Sequence, residues 1–98
     1  MLSFFASLYF CRDWYVRQYH KCVGFYYVHQ GDKAYKETKY QKAIDLYRVA
    51  LKHYPEHSRA SCNLGNIYVS FENYYDAVNA YENALKHSPN FMVCRMDL

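Results

Sequence analysis

The chain has 98 residues, enough for one small domain with a modest buried core. Hydrophobic residues make up 52%, much of it as 13 Tyr and 6 Phe, against only 3 Gly and 2 Pro; a turn-rich β sandwich and a disordered linker are excluded, which leaves an all-α class. The net charge of +3 contains no run of five like charges, so no nucleic-acid footprint is expected.

Residues 1–23, MLSFFASLYFCRDWYVRQYHKCV, open on an apolar run that stops at Arg12, too short to span a bilayer. A signal peptide stays among the alternatives, although no basic segment precedes that run and no clear small-x-small site follows it. Phe4, Leu8, Cys11, Tyr15, Tyr19, Cys22 and Tyr26 recur at steps of three or four, a helical stripe. Two readings stand side by side, with a cleaved or disordered segment as the third alternative. In one, a leading helix packs on the first of the later helices and shields the open end of the domain. In the other, the helix lies in a membrane interface, with Phe4, Phe5, Tyr9, Phe10 and Trp14 in the headgroup layer and Arg12, Arg17 and Lys21 meeting anionic lipid.

From residue 24 the sequence repeats itself at an offset of 34. Gly31 pairs with Gly65, Tyr40 with Tyr74, Ala43 with Ala77, and Tyr47 with Tyr81. Ala50, Leu51, Lys52 and His53 then pair with Ala84, Leu85, Lys86 and His87, and Pro55 with Pro89. A period near 34 marks stacked helical units, each unable to bury its apolar face alone. Ala43, Tyr47 and Ala50 stand at i, i+4 and i+7, one face of a helix, where two small residues flanking a ring let a neighbour approach. Gly31 and Gly65 sit inside helical patterns and are expected where two helices cross. Pro55 and Pro89 end helices. The spacing predicts helices over about 24–37, 41–53, 58–71 and 75–87, with short turns at 38–40 and 72–74. The closing MVCRMDL reads as the first turns of another helix.

These residues resemble the tetratricopeptide repeat (TPR) family. The frame divides the chain into an aromatic N-terminal helix at 1–23, unit one at 24–57, unit two at 58–91, and the start of a truncated third repeat at 92–98. Gln30, Ala34 and Ser61 depart from the family's usual Leu, Tyr and aromatic. The resemblance implies a right-handed stack of helical hairpins, with an extra N-terminal helix in this chain. It also implies a concave groove lined by the first helix of each unit. Its groove-facing positions fall on Phe25, Val28, Asp32, Tyr35 and Lys36 in unit one, and on Arg59, Cys62, Asn63, Asn66 and Val69 in unit two. One branch of the family grips a C-terminal carboxylate with Lys and Arg. The matching positions here read Val28, Asp32, Asn63, Val93 and Asp97, and the two acids would repel that ligand.

No catalytic or metal chemistry is expected. His53 and His57 have the four-residue metal spacing, but Pro55 between them breaks the helix that would align them. Cys11, Cys22, Cys62 and Cys94 fit no CxxC or zinc-ribbon spacing and read as isolated core thiols in a reducing, cytoplasmic setting. No Gly-rich phosphate loop, GxSxG or HExxH occurs, and no cofactor is implied. The expected function is therefore a non-catalytic scaffold or adaptor that binds another protein's peptide or helix in the groove. The alternatives are a scaffold held at a membrane surface through residues 1–23, and a structural piece that self-associates through an uncapped C-terminal end.

Overall fold

A computed structural model describes residues 2–89, and their side chains from residue 11 onward. Four helices succeed one another: α1 (Leu2–Lys36), α2 (Tyr40–His53), α3 (Ser58–Ser70) and α4 (Tyr74–His87). Each packs on the next, α1 on α2, α2 on α3 and α3 on α4, giving an all-α stack of two helical hairpins. The expected further helix at 92–98 lies outside the described residues.

Both hairpins close the same way. At the first turn, Lys39 N–H bonds Ala34 O at 2.9 Å and Thr38 N–H bonds Tyr35 O at 3.1 Å. At the second, Asn73 N–H bonds Tyr68 O at 2.9 Å and Glu72 N–H bonds Val69 O at 2.9 Å. This is the Schellman ending, which takes up orphan helix carbonyls by putting one residue in the left-handed region. Asn73 then caps α4, its Oδ1 accepting from Asp76 N–H at 3.4 Å, whereas Lys39 gives α2 no side-chain cap. His57 caps α3 through a ring nitrogen that accepts from Ala60 N–H at 3.2 Å.

The core runs through both hairpins. Ala43, Tyr47 and Ala50, the face marked by the repeat, are all 0% exposed. Val28, Ala34, Ile44, Ala60, Leu64, Ile67 and Ala80 complete the cluster. Gly31 lies against the Tyr47 ring, where a Cβ would stand 2.8 Å from Cδ1; Gly65 lies against Tyr81, where it would stand 2.7 Å from Cε1. Each unit thus seats the ring of its second helix on a glycine of its first. α3 is tied to the far end of α4, with Ser58 Oγ 2.7 Å from Ser88 Oγ and Asn83 Nδ2 donating to Ser61 Oγ at 2.7 Å.

α1 departs from the expected layout. No break separates a leading helix from the first repeat: one helix of 35 residues, about 52 Å long at ~1.5 Å per residue, crosses the 23/24 boundary. Nothing in that sequence stops a helix, since a change of repeat frame is not a cap and Gly24 lies inside the helix, packed against Tyr54. Near the end of α2, His20 Nδ1 stands 3.1 Å from Nδ1 of His53, and Arg17 lies beside the same end. Residues 11–16 are all exposed, and this part of α1 projects beyond the hairpin. Cys11 and Cys22 are exposed free thiols, against the expectation of core residues.

Candidate partner-binding groove

The face shared by α1 and α3 is organised around one carboxylate. Asp32, in the last turns of α1, accepts the buried Tyr47 hydroxyl at 2.5 Å on Oδ1 and Arg59 at 3.0 Å on Oδ2. Asn63 Nδ2 donates to the same Oδ1 at 3.4 Å and to the Tyr47 oxygen at 3.3 Å. Four residues from three helices are joined in this way, linking the first hairpin to the second. The Arg59 side chain remains 55% exposed and that of Asp32 25% exposed, so the ion pair is a surface one and both groups stay within reach of a ligand. Burial, then the bond to Asp32 and its charge, pushes the Tyr47 phenol well above its ordinary range, so the hydroxyl keeps its proton and donates.

The second unit repeats this arrangement with a neutral acceptor. The Tyr81 hydroxyl donates to Asn66 Oδ1 at 2.5 Å, and Asn66 and Tyr81 stand 34 residues beyond Asp32 and Tyr47. Burial raises the Tyr81 phenol as well. Asn66 is half-buried, as Asn63 is.

The remaining predicted groove positions divide. Phe25, more than half exposed, sits edge-on to His57 with ring centroids 5.3 Å apart. Tyr35 is half-buried and meets Tyr40 edge-on at 5.7 Å; Tyr40 in turn meets Phe71 of the second turn at 6.3 Å. Lys36 is exposed and Val69 half-buried. Val28 and Cys62 are corrections. At 1% and 2% exposure they are packed inside rather than presented to a ligand, because their helix faces turn toward neighbouring elements. The structure thus brings Asp32, Arg59 and Asn63 into one cluster and leaves Phe25, Tyr35 and Asn66 as separate contacts.

Helical spacing marks Tyr47 only as a core ring, yet its hydroxyl completes the cluster. The sequence does carry a signal, a tyrosine fifteen residues after a short polar side chain in both units. Of the residues expected to contact a membrane, Trp14 is 53% exposed, while the side chains of Phe4, Phe5, Tyr9 and Phe10 lie outside those described. Among the described residues no helix is long and apolar enough to cross a membrane, and no group of three or more His, Cys, Asp or Glu is placed to hold a metal ion. A separate cavity of about 360 Å³ lies between α2, α3 and α4, floored by Leu51, Leu64, Tyr68 and Ala80, and involves no α1 residue.

Comparison with known proteins agrees with this geometry. Residues 58–91, which hold α3 and α4, match the tetratricopeptide repeat family. The chain is also similar to the human protein named Intraflagellar transport protein 88 homolog, at 31% identity over 73 residues. That alignment takes in 69% of this chain but 9% of the relative, so the chain spans a short part of the relative's length. The family match makes residues 58–91 a tetratricopeptide repeat, and the first hairpin carries the same Gly–Tyr seat at an offset of 34 residues.

Proposed function

We propose that this chain is a non-catalytic adaptor that holds an extended peptide or a helix of another protein against α1 and α3. The tetratricopeptide repeat is a protein-interaction repeat, which supplies the class. The observation that carries the finer reading is the Asp32–Arg59–Asn63 cluster, half-open to solvent and fixed from beneath by Tyr47. It offers a carboxylate, a guanidinium and an amide in one place, ready to meet a partner's backbone and a charged side chain. Phe25 and Tyr35 add ring surface of the kind that dominates interface energetics. A preformed polar surface of this sort gives specificity by complementarity, with little ordering to be done on binding. The proposed setting is cytoplasmic.

The test is to pan residues 1–98 against a displayed library of random 15-residue peptides and titrate the selected peptides with variants. Arg59→Ala, Asn66→Ala and Tyr35→Ala should each weaken binding tenfold or more, while Arg48→Ala on the α2–α4 cavity should leave it unchanged. Peptides that respond to Arg48→Ala and ignore the other three would move the site to that cavity and end this reading.

A further inference from the structure

The face of α1 turned away from α2 and α3 is aromatic and uncovered. At about 100° per residue, Cys11, Tyr15, Tyr19, Cys22 and Tyr26 fall within about 80° of one another on the helix. Gly24 and Gly31, which face α2, lie on the opposite side. Asp32, which faces α3, lies roughly a quarter turn away. Tyr15, Tyr19 and Tyr26 are 68%, 63% and 59% exposed, and Trp14 beside them is 53% exposed.

The spacing of this face has a further property. With Phe4 and Leu8, which hold the same register position on α1, the steps run 4, 3, 4, 4, 3, 4. They average about 3.67 residues per turn, close to an undistorted α-helix, so the face runs nearly straight along the axis and suits another helix as its cover. The series is also symmetric about Tyr15. Turned end for end on itself, it sets Phe4 opposite Tyr26, Leu8 opposite Cys22, and Cys11 opposite Tyr19, with Tyr15 opposite its own copy. Each cysteine then meets a larger side chain, the alternation that lets two surfaces interdigitate. Arg12, the one charge beside the face, comes opposite neutral Gln18.

We propose that this face of α1 is covered by the same face of a second copy, laid antiparallel about a two-fold axis at Tyr15. A two-fold contact requires a patch complementary to itself, and the register about Tyr15 provides one. The area suits a weak, concentration-dependent contact. At about 200 Å² for a fully buried ring, Tyr15, Tyr19 and Tyr26 present roughly 380 Å² per copy, so their rings alone contribute about 760 Å² to a pair, at the low end of the range for specific interfaces. Charge gives a lipid surface little to hold. Of the three cations near this end of α1 only Arg12 borders the face, while Arg17 and Lys21 are turned away from it, beside His53 and Glu56.

Sedimentation equilibrium of the full chain over a hundredfold range of concentration tests this directly. The expected result is a monomer–dimer equilibrium. Tyr15→Lys, at a position exposed in the monomer, should raise its dissociation constant at least about a hundredfold by placing two ammonium groups at the axis. Mild oxidation should link Tyr15→Cys dimers in a Cys11→Ala, Cys22→Ala background. In the parent it should form no Cys11–Cys11 or Cys22–Cys22 link between copies, because antiparallel packing about Tyr15 sets these like pairs about 12 Å and about 21 Å apart along the axis. A monomer at every concentration overturns the proposal, as does a dimer indifferent to Tyr15→Lys. Linkage of the parent through Cys11–Cys11 or Cys22–Cys22 pairs would overturn the Tyr15 axis and establish a different register. Flotation of a monomer with phosphatidylserine vesicles, lost in Tyr15→Lys, would assign the face to lipid instead.

Discussion

Thr38 and Glu72 stand 34 residues apart and share one backbone conformation, with φ of 60° and 61°. Each is the left-handed residue of its hairpin turn, a place where a Cβ is strained and glycine is not. Thr38→Gly and Glu72→Gly should therefore each stabilise the fold by about 0.5–1 kcal/mol, less the entropy that glycine adds to the unfolded chain. Urea unfolding would show this as a higher midpoint at unchanged slope. A fall in the midpoint for both would mean that the side chains do more at these turns than the backbone strain costs.

The glycines under the rings should respond in the opposite way. Alanine at Gly31 would gain about 1 kcal/mol of helix propensity, but its Cβ would come within 2.8 Å of the Tyr47 ring. That ring is held by its hydroxyl bond to Asp32 and cannot swing aside. Overpacking costs about 1–3 kcal/mol, so Gly31→Ala and Gly65→Ala should each destabilise on balance. Adding Tyr47→Phe should reduce the Gly31→Ala penalty by freeing the ring to move. A double-mutant cycle measures that relief.

Asp32 and Asn66 hold the same place in successive units, and both accept a tyrosine hydroxyl. A neutral acceptor is thus already in use at this position. Asp32→Asn should cost less than about 1 kcal/mol, whereas Asp32→Ala, which strands the buried Tyr47 hydroxyl, should cost about 1–3 kcal/mol. Equal losses in the two variants, measured by thermal unfolding, would show that the charge on Asp32 matters more than its bond to Tyr47.

His57 makes stability depend on pH in one direction. Burial, then the nearby Arg59 charge, lowers its folded pKa below the ordinary 6.5, and its ring nitrogen must be unprotonated to cap α3. Above 6.5 both folded and unfolded chains carry neutral His57, and its contribution does not change. As pH falls below 6.5 the unfolded chain takes up a proton that the folded chain resists, so stability declines until the folded pKa is passed. His57→Asn keeps a cap acceptor and removes the titration. The parent's urea midpoint should therefore fall more between about pH 7.5 and about pH 5 than that of the variant.

Most of the repeat was legible because its signals are local. α2, α3 and α4 begin and end within one residue of the spans that the 34-residue offset predicts, and Pro55 and the capping His57 explain the break between the hairpins. α1 was not legible as one element, because periodicity marks where a helix face turns and is silent on whether the helix stops. The groove was legible as directions only. The family resemblance placed Val28 and Cys62 on the inner face but gave no depth, and both are buried. The bonds joining Asp32 to Arg59 and Asn63 cross 27 and 31 residues of sequence, beyond what spacing within one helix can indicate.

An unbroken α1 turns the N-terminal residues into a lever. A flexible tether would fix only how far the Asp32 cluster can stray from an anchoring point. A stiff rod also fixes which way it faces, because a rotation imposed at Tyr15 is carried through the same hydrogen-bond ladder to Asp32. Whatever takes hold of the projecting end therefore sets the bearing of the α1–α3 face as well as its position. Two glycines placed between Tyr19 and Gly24 would remove that bearing while leaving both ends intact.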